Sequence, residues 1–154
     1  MVGVVTSTNA TTLFTISQLH QLMPPLLSCI VGKRLGQDAS EDHWVLRREA
    51  SKVVADICHK YSGRYQDLQS RVIKTMISSL LDKGKPLATH YGAAVCLGAF
   101  GPRVVDLFLV HNIGQYQRIW ESKRHTDPPS AERVRDALLV RGIVVLEGQP
   151  SMTL

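Results

Sequence analysis

Apolar residues along this chain recur at spacings of three and four rather than two, the pattern of helices with one greasy face. From about Leu13 to Arg34 the stripe is Ile16, Leu19, Met23, Leu26, Leu27, Ile30 and Val31. Pro24 and Pro25 interrupt it and should kink this helix or split it, because proline lacks the amide donor and crowds the preceding turn. A polar loop from Gly36 to Ser40 follows, and Ser40 or Asp42 can cap a second helix, about Glu41 to Tyr61. That helix gathers Val45, Leu46, Ala50, Val53, Val54, Ile57 and Cys58 on one face. The third, about Leu68 to Lys83, carries Leu68, Val72, Ile73, Met76, Ile77, Leu80 and Leu81 with polar residues between them. Gly84 stops it, a glycine where the chain must turn left-handed, and Pro86 opens a fourth that runs to about Phe100. Gly101 and Pro102 repeat the device before a fifth, about Arg103 to Ser122. A sixth helix is expected from about Ala131 to Leu146, although the β-branched run Ile143 to Leu146 would also read as a strand. The expected organisation is a disordered segment over residues 1–12, a helical domain over 13–147 and a tail over 148–154.

A longer period overlies these stripes. Ala50, Ala93 and Ala137 each fall in mid-helix, at intervals of 43 and 44 residues. Around the first two the apolar pattern also matches, Val54 with Leu97 and Ile57 with Phe100, while Arg141 occupies the third copy's equivalent of Val54. Antiparallel helix pairs repeating at roughly 40–47 residues are the sign of HEAT or armadillo stacking. The small residue lets helices approach, and each pair buries its stripe against the next. The fold class expected is therefore all-α, an α-solenoid of HEAT-type antiparallel helix pairs. In phase, the chain begins with the second helix of one repeat, holds two complete pairs and ends with the first helix of another. That phase suggests a piece of a longer solenoid.

Composition narrows the function without naming it. A hydrophobic content of 44% over 154 residues suffices for a real core. No apolar run approaches the roughly 18 residues that cross a bilayer, and the start of the chain lacks a signal-peptide pattern, so a cytosolic or nuclear chain is expected. The formal net charge of +5 suits an acidic partner, yet the Lys and Arg residues are scattered, so nucleic acid is the disfavoured partner. Cys29, Cys58 and Cys96 lie far apart among apolar neighbours and read as buried thiols rather than a metal site or a disulfide framework.

Four strings make the chain recognisable. They are Leu19-His20-Gln21-Leu22-Met23-Pro24-Pro25, Asp42-His43-Trp44-Val45-Leu46-Arg47, Pro86-Leu87-Ala88-Thr89-His90-Tyr91-Gly92-Ala93 and Leu97-Gly98-Ala99-Phe100-Gly101-Pro102. In that order they resemble the C-terminal HEAT-repeat region of the transcription initiation factor TFIID subunit 6 family, over about Leu19 to Trp120. The resemblance implies a nuclear scaffold whose partners are other subunits of TFIID or of a SAGA-type coactivator. Members of that family also carry a histone fold that pairs with a partner subunit. This sequence has no such segment, so that dimerisation is not carried over.

No chemistry competes with this reading. Gly32-Lys33 lacks the flanking residues of a phosphate cradle, and Gly92, Gly98 and Gly101 lack dinucleotide spacing. The six histidines are scattered and no carboxylate pair or Ser/His/Asp order stands out, so no catalytic, metal or cofactor residue is assigned and no enzyme is expected. His43-Trp44 and His90-Tyr91 hold matching places near the starts of two helices. They are candidates for inter-repeat packing or, less favoured, an aromatic docking ridge. Arg47 is expected at the seam between repeats, bonding a neighbouring carbonyl or carboxylate. The alternative functions are a basic helical module that binds nucleic acid, or a truncated product with no function.

Overall fold

The computed structural model describes residues 14–33 and 42–143. The segment 1–12, the loop Gly36 to Ser40 and the tail 148–154 lie outside the described residues. Among the described residues six helices follow in order, here α1 (Ile16–Val31), α2 (His43–Lys60), α3 (Leu68–Leu80), α4 (Leu87–Ala99), α5 and α6 (Pro128–Leu139). Helix α5 runs in three sections: α-helical at Pro102–Val104, π-helical at Val105–Val110 and α-helical again at His111–Lys123. No strand occurs among the described residues.

The helices form two layers. Trp44 of α2 meets Tyr91 of α4, both near their helix starts, so these two run side by side in the same direction. Arg141, just past α6, reaches the carbonyl of Val95 late in α4, which aligns α6 with them. Helices α1, α3 and α5 alternate with these and run back. The backbone N–H of Phe14, ahead of α1, donates to Tyr61 Oη at the end of α2, 2.7 Å away, while the end of α1 meets Arg47 near the start of α2. Helix α4 lies in the middle and touches every other helix. Ten of its thirteen residues are buried, and it is accordingly apolar nearly all round. The spacing alanines Ala50, Ala93 and Ala137 are all buried, one in each of the three parallel helices.

Local signals explain most helix ends. Asp42 caps α2, its Oδ1 accepting from the N–H groups of Trp44 and Val45 at 3.2 and 3.3 Å, and Ser40 lies outside the described residues. Gly101 has φ +106 and Pro102 opens α5, as the punctuation predicts. Gly84 differs, because only Gly101 and Gly142 have positive φ among the described residues. Helix α3 already ends at Leu80, and the turn that follows is made by Asp82, whose Oδ1 accepts from the Gly84 N–H at 2.9 Å.

One expectation is narrowed and another needs correction. Of a kink or a split at Pro24 and Pro25, the split does not occur, since α1 is one helix from Ile16 to Val31. The carbonyls they leave without a helical donor belong to His20 and Gln21, both on the exposed side, where solvent can reach them. Helix α6 does not run to Leu146. It starts earlier, at Pro128, and ends at Leu139, because Gly142 at φ +77 closes it. The N–H groups of Gly142 and Ile143 bond back to the carbonyls of Leu139 and Leu138, and Ile143 is buried against the core. This is a Schellman stop, for which glycine is the favoured residue. Residues 144–146 lie outside the described residues.

Candidate functional site

Arg47 has only 1% of its surface exposed, and its guanidinium closes the end of α1. Nη1 donates to the carbonyl of Ile30 at 2.7 Å and Nη2 to that of Gly32 at 2.8 Å. Thr89 Oγ1, from α4, donates to the carbonyl between them, that of Val31, at 2.9 Å. Three successive carbonyls at a helix end, which have no partner within the helix, are thus bound by side chains of two neighbouring helices. The cation also faces the negative end of the α1 dipole, which offsets part of the cost of burying it. Burial lowers the Arg47 pKa to about 10, which still leaves it charged at neutral pH.

His90 stands 43 residues after Arg47, at the same place in the next repeat, and does the same work with a different group. It is fully buried, and its Nε2 lies 2.9 Å from the carbonyl of Asp82 just beyond α3. A carbonyl only accepts, so Nε2 carries the proton and Nδ1 does not. Among the described residues Nδ1 finds no partner, and neither does the buried hydroxyl of Tyr116, whose ring meets His90 edge-on with centroids 5.3 Å apart. In the third copy the equivalent residue is Val134, and the link runs the other way. There Trp120 Nε1 of α5 donates to the carbonyl of Ala131 in α6, at 3.0 Å.

The aromatic candidates join this seam. Trp44 is half-buried between His43 at 4.3 Å, Tyr91 at 4.9 Å and the guanidinium of Arg133 at 5.1 Å. Tyr91 is buried. His43 Nδ1 accepts from Arg47 Nε at 3.1 Å, which orients the guanidinium. Of the five residues singled out from sequence, three (Arg47, His90 and Tyr91) are therefore inside, and His43 and Trp44 stand at the rim. Sequence reasoning did not find Thr89, Tyr116 or Trp120 as their neighbours.

Both rim and core histidines are disfavoured as cations. Burial lowers the pKa of His90 and of His43, and for His43 the adjacent Arg47 charge adds to the effect. The folded state therefore resists protons that the unfolded chain takes up near the ordinary histidine value of 6.5. The stability from these neutral rings is complete above that value and is lost as pH falls below it. The urea midpoint is expected to hold steady above about pH 7 and to drop as pH falls below about 6.5. A His90→Gln variant should show a shallower drop. An equal drop in both would assign the pH response elsewhere.

The remaining chemistry is quiet. Burial raises the thiols of Cys58 and Cys96 to about 12, so they stay protonated. Among the described residues no three His, Cys, Asp or Glu side chains are grouped to hold a metal ion, and no helix is long and apolar enough to cross a membrane. The outer face offers something else. In the π-helical section of α5, Leu107, Phe108 and Val110 are 56%, 37% and 43% exposed, a run of apolar surface that the sequence pattern did not flag.

Helix pairs stacked in sequence order, stitched by polar side chains at each seam, define an α-solenoid of HEAT type. A family model described as the TAF6 C-terminal HEAT repeat domain matches residues 1–114, and the chain belongs to that family. The match takes in residues ahead of Leu19 and stops short of Trp120. Transcription initiation factor TFIID subunit 6 of Arabidopsis thaliana is 39% identical over 109 residues, 71% of this chain and 20% of that protein. The SAGA complex/transcription factor TFIID complex subunit Taf6 of Schizosaccharomyces pombe is 37% identical over 106 residues, 68% of this chain and 24% of that protein. The chain thus spans about a fifth to a quarter of these relatives' length. Among solved structures, the TAF6 C-terminal domain from Antonospora locustae matches with a TM-score of 0.65 at 25% identity, covering 82% of this chain and 59% of that one.

Proposed function

We propose that this chain is a non-enzymatic scaffold domain of the RNA polymerase II initiation machinery, acting in the nucleus by docking other subunits of TFIID or of a SAGA-type coactivator. One observation carries the reading. The polar and aromatic residues most suited to chemistry are spent on the seams, while Leu107, Phe108 and Val110 stand exposed in a single stretch of α5. An apolar patch of this kind marks an interaction surface, and π-helical turns recur at functional positions. The names of the relatives, a TFIID subunit and a subunit of both SAGA and TFIID, support the choice of partners. Arg47, His90 and Tyr91 then have a structural role, and His43 and Trp44 complete the seam at its rim.

The test is a pull-down of purified TFIID subunits on the folded domain. At least one subunit is expected to be retained at physiological salt. A domain that melts cooperatively and retains none would remove the proposal. The second reading, a nucleic-acid module, draws only on the net charge of +5, and predicts binding that weakens steeply as salt rises.

A further inference from the structure

Helix α1 is tied to the parallel layer at both ends, by the Phe14 N–H on Tyr61 at one and by Arg47 and Thr89 at the other. It leaves a groove against its neighbour α3. Met23, Pro24 and Leu27 of α1 form one wall, and Leu68, Val72 and Thr75 of α3 form the other. Arg71 and Thr75 also line a second depression that continues along α3 to Lys74 and Lys85. The two together make one track, apolar at one end and cationic at the other.

The charges on this track are largely uncommitted. Helix α3 carries Arg71 and Lys74 and no Asp or Glu. Arg71 faces Asp67 at 3.9 Å with both side chains exposed, a geometry that contributes little. No ion pair among the described residues involves Lys74 or Lys85. Asp82 is the one carboxylate lining the track, and it is engaged by the Gly84 N–H.

We propose that this groove is the docking track for an acidic amphipathic peptide segment of a partner protein. Apolar side chains of the peptide seat against Met23, Pro24, Leu27 and Val72, and its Asp and Glu residues lie along Arg71, Lys74 and Lys85. This deepens the scaffold reading, on which it rests, by naming a face and a partner chemistry. A phosphate backbone fits less well, because it has nothing to set against the apolar wall of Met23, Pro24 and Leu27. Peptides of this type bind by laying a helical face into a groove, with charge fixing the register.

The test uses the isotope-labelled domain and three probes. The first is a synthetic peptide of about four helical turns, with Leu and Phe at positions one, four, five and eight of its repeat and Asp or Glu between them. The second replaces every acid by Lys, and the third is a single-stranded oligodeoxynucleotide. The acidic peptide is expected to shift amide signals of residues 20–23, 26–27 and 68–75, and the other two probes to leave them in place. The double variant Arg71→Glu with Lys74→Glu should weaken binding roughly ten-fold or more. Thr75→Trp should block the track with its charges intact. Thr75, Arg71 and Lys74 are all exposed, so these variants keep the core, and circular dichroism checks that they do. Replacing Leu107 and Phe108 by Ser should change nothing in this assay. The proposal is overturned if the acidic peptide moves signals in α5 instead, if the double variant binds as well as the parent, or if the oligonucleotide shifts the same residues. If the groove variants still capture TFIID subunits as the parent does, the groove falls and the scaffold reading stands. If the parent captures none, the scaffold reading itself is lost.

Discussion

Replacing Arg47 by methionine is expected to cost about 3 kcal/mol of stability. Methionine keeps much of the buried stem but none of the donors. The carbonyls of Ile30 and Gly32 and the Nδ1 of His43 would each lose a hydrogen bond, the first in a buried place and the other two in partly buried ones. An orphaned buried acceptor costs roughly 1–3 kcal/mol, and part of the sum is offset because a cation is no longer held out of water. A loss of this size lowers the melting temperature by about 10 °C in a domain of these dimensions. Arg47→Lys should recover only part of it, since one ammonium cannot reach both carbonyls with the fork of a guanidinium. The neighbouring Arg48 is exposed, and Arg48→Ala should stay within about 0.5 kcal/mol of the parent. Urea and thermal unfolding of the three variants check this. Equal stabilities for Arg47→Met and Arg48→Ala would mean that the clamp on α1 does not hold the fold.

The second large effect is expected at Gly92. A Cβ built there would lie 1.8 Å from the carbonyl oxygen of Ile30 and 2.8 Å from its carbon. Both are backbone atoms, and the same oxygen already accepts from Arg47, so the end of α1 cannot yield without disturbing the clamp. Alanine gains up to about 1 kcal/mol of helix propensity over glycine. Against that, forcing α1 and α4 apart costs more, and a net loss of about 3 kcal/mol is expected for Gly92→Ala. Two other glycines calibrate the result. At Gly98 the Cβ would meet the side chain of Arg141, which can swing aside, so the loss should be smaller. At Gly114, within α5, nothing lies within 4 Å, and alanine should stabilise by a few tenths to about 1 kcal/mol. Chemical unfolding of the three variants should rank them in that order. A Gly92→Ala protein as stable as Gly114→Ala would show that the close approach of α1 to α4 is not present in solution.

The helices and their stacking were legible because they depend on patterns that repeat. The stripe in α3 and the alanines 43 and 44 residues apart are visible in any single sequence, and each of those alanines is buried. The seam was half legible. Arg47 could be placed near a neighbouring carbonyl, but its equivalence to His90 is hidden by the change of residue type, since what is kept is a donor at a helix end and not a side chain. In the third copy even the donor changes sides, from α6 to Trp120 of α5, and spacing says nothing about that. The end of α6 was readable from Gly142 and was overridden by the apolar run after it, where Ile143 packs inward as the contact of the Schellman turn. The π-helical section was not readable. Val105 to Val110 is apolar on every side apart from Asp106, so periodicity could not say that Leu107, Phe108 and Val110 face out while Val105 and Leu109 face in.

Contact between rings on neighbouring helices, within and between repeats, seen as nuclear Overhauser effects in solution, tests the stacked architecture most directly. Signals are expected between Trp44 and Tyr91, whose centroids lie 4.9 Å apart, and between His90 and Tyr116, at 5.3 Å. The first links α2 to α4 across successive repeats and the second links α4 to α5 within one, so together they report both kinds of packing. A helical, cooperatively folding protein in which neither pair gives a signal would contradict the solenoid described here.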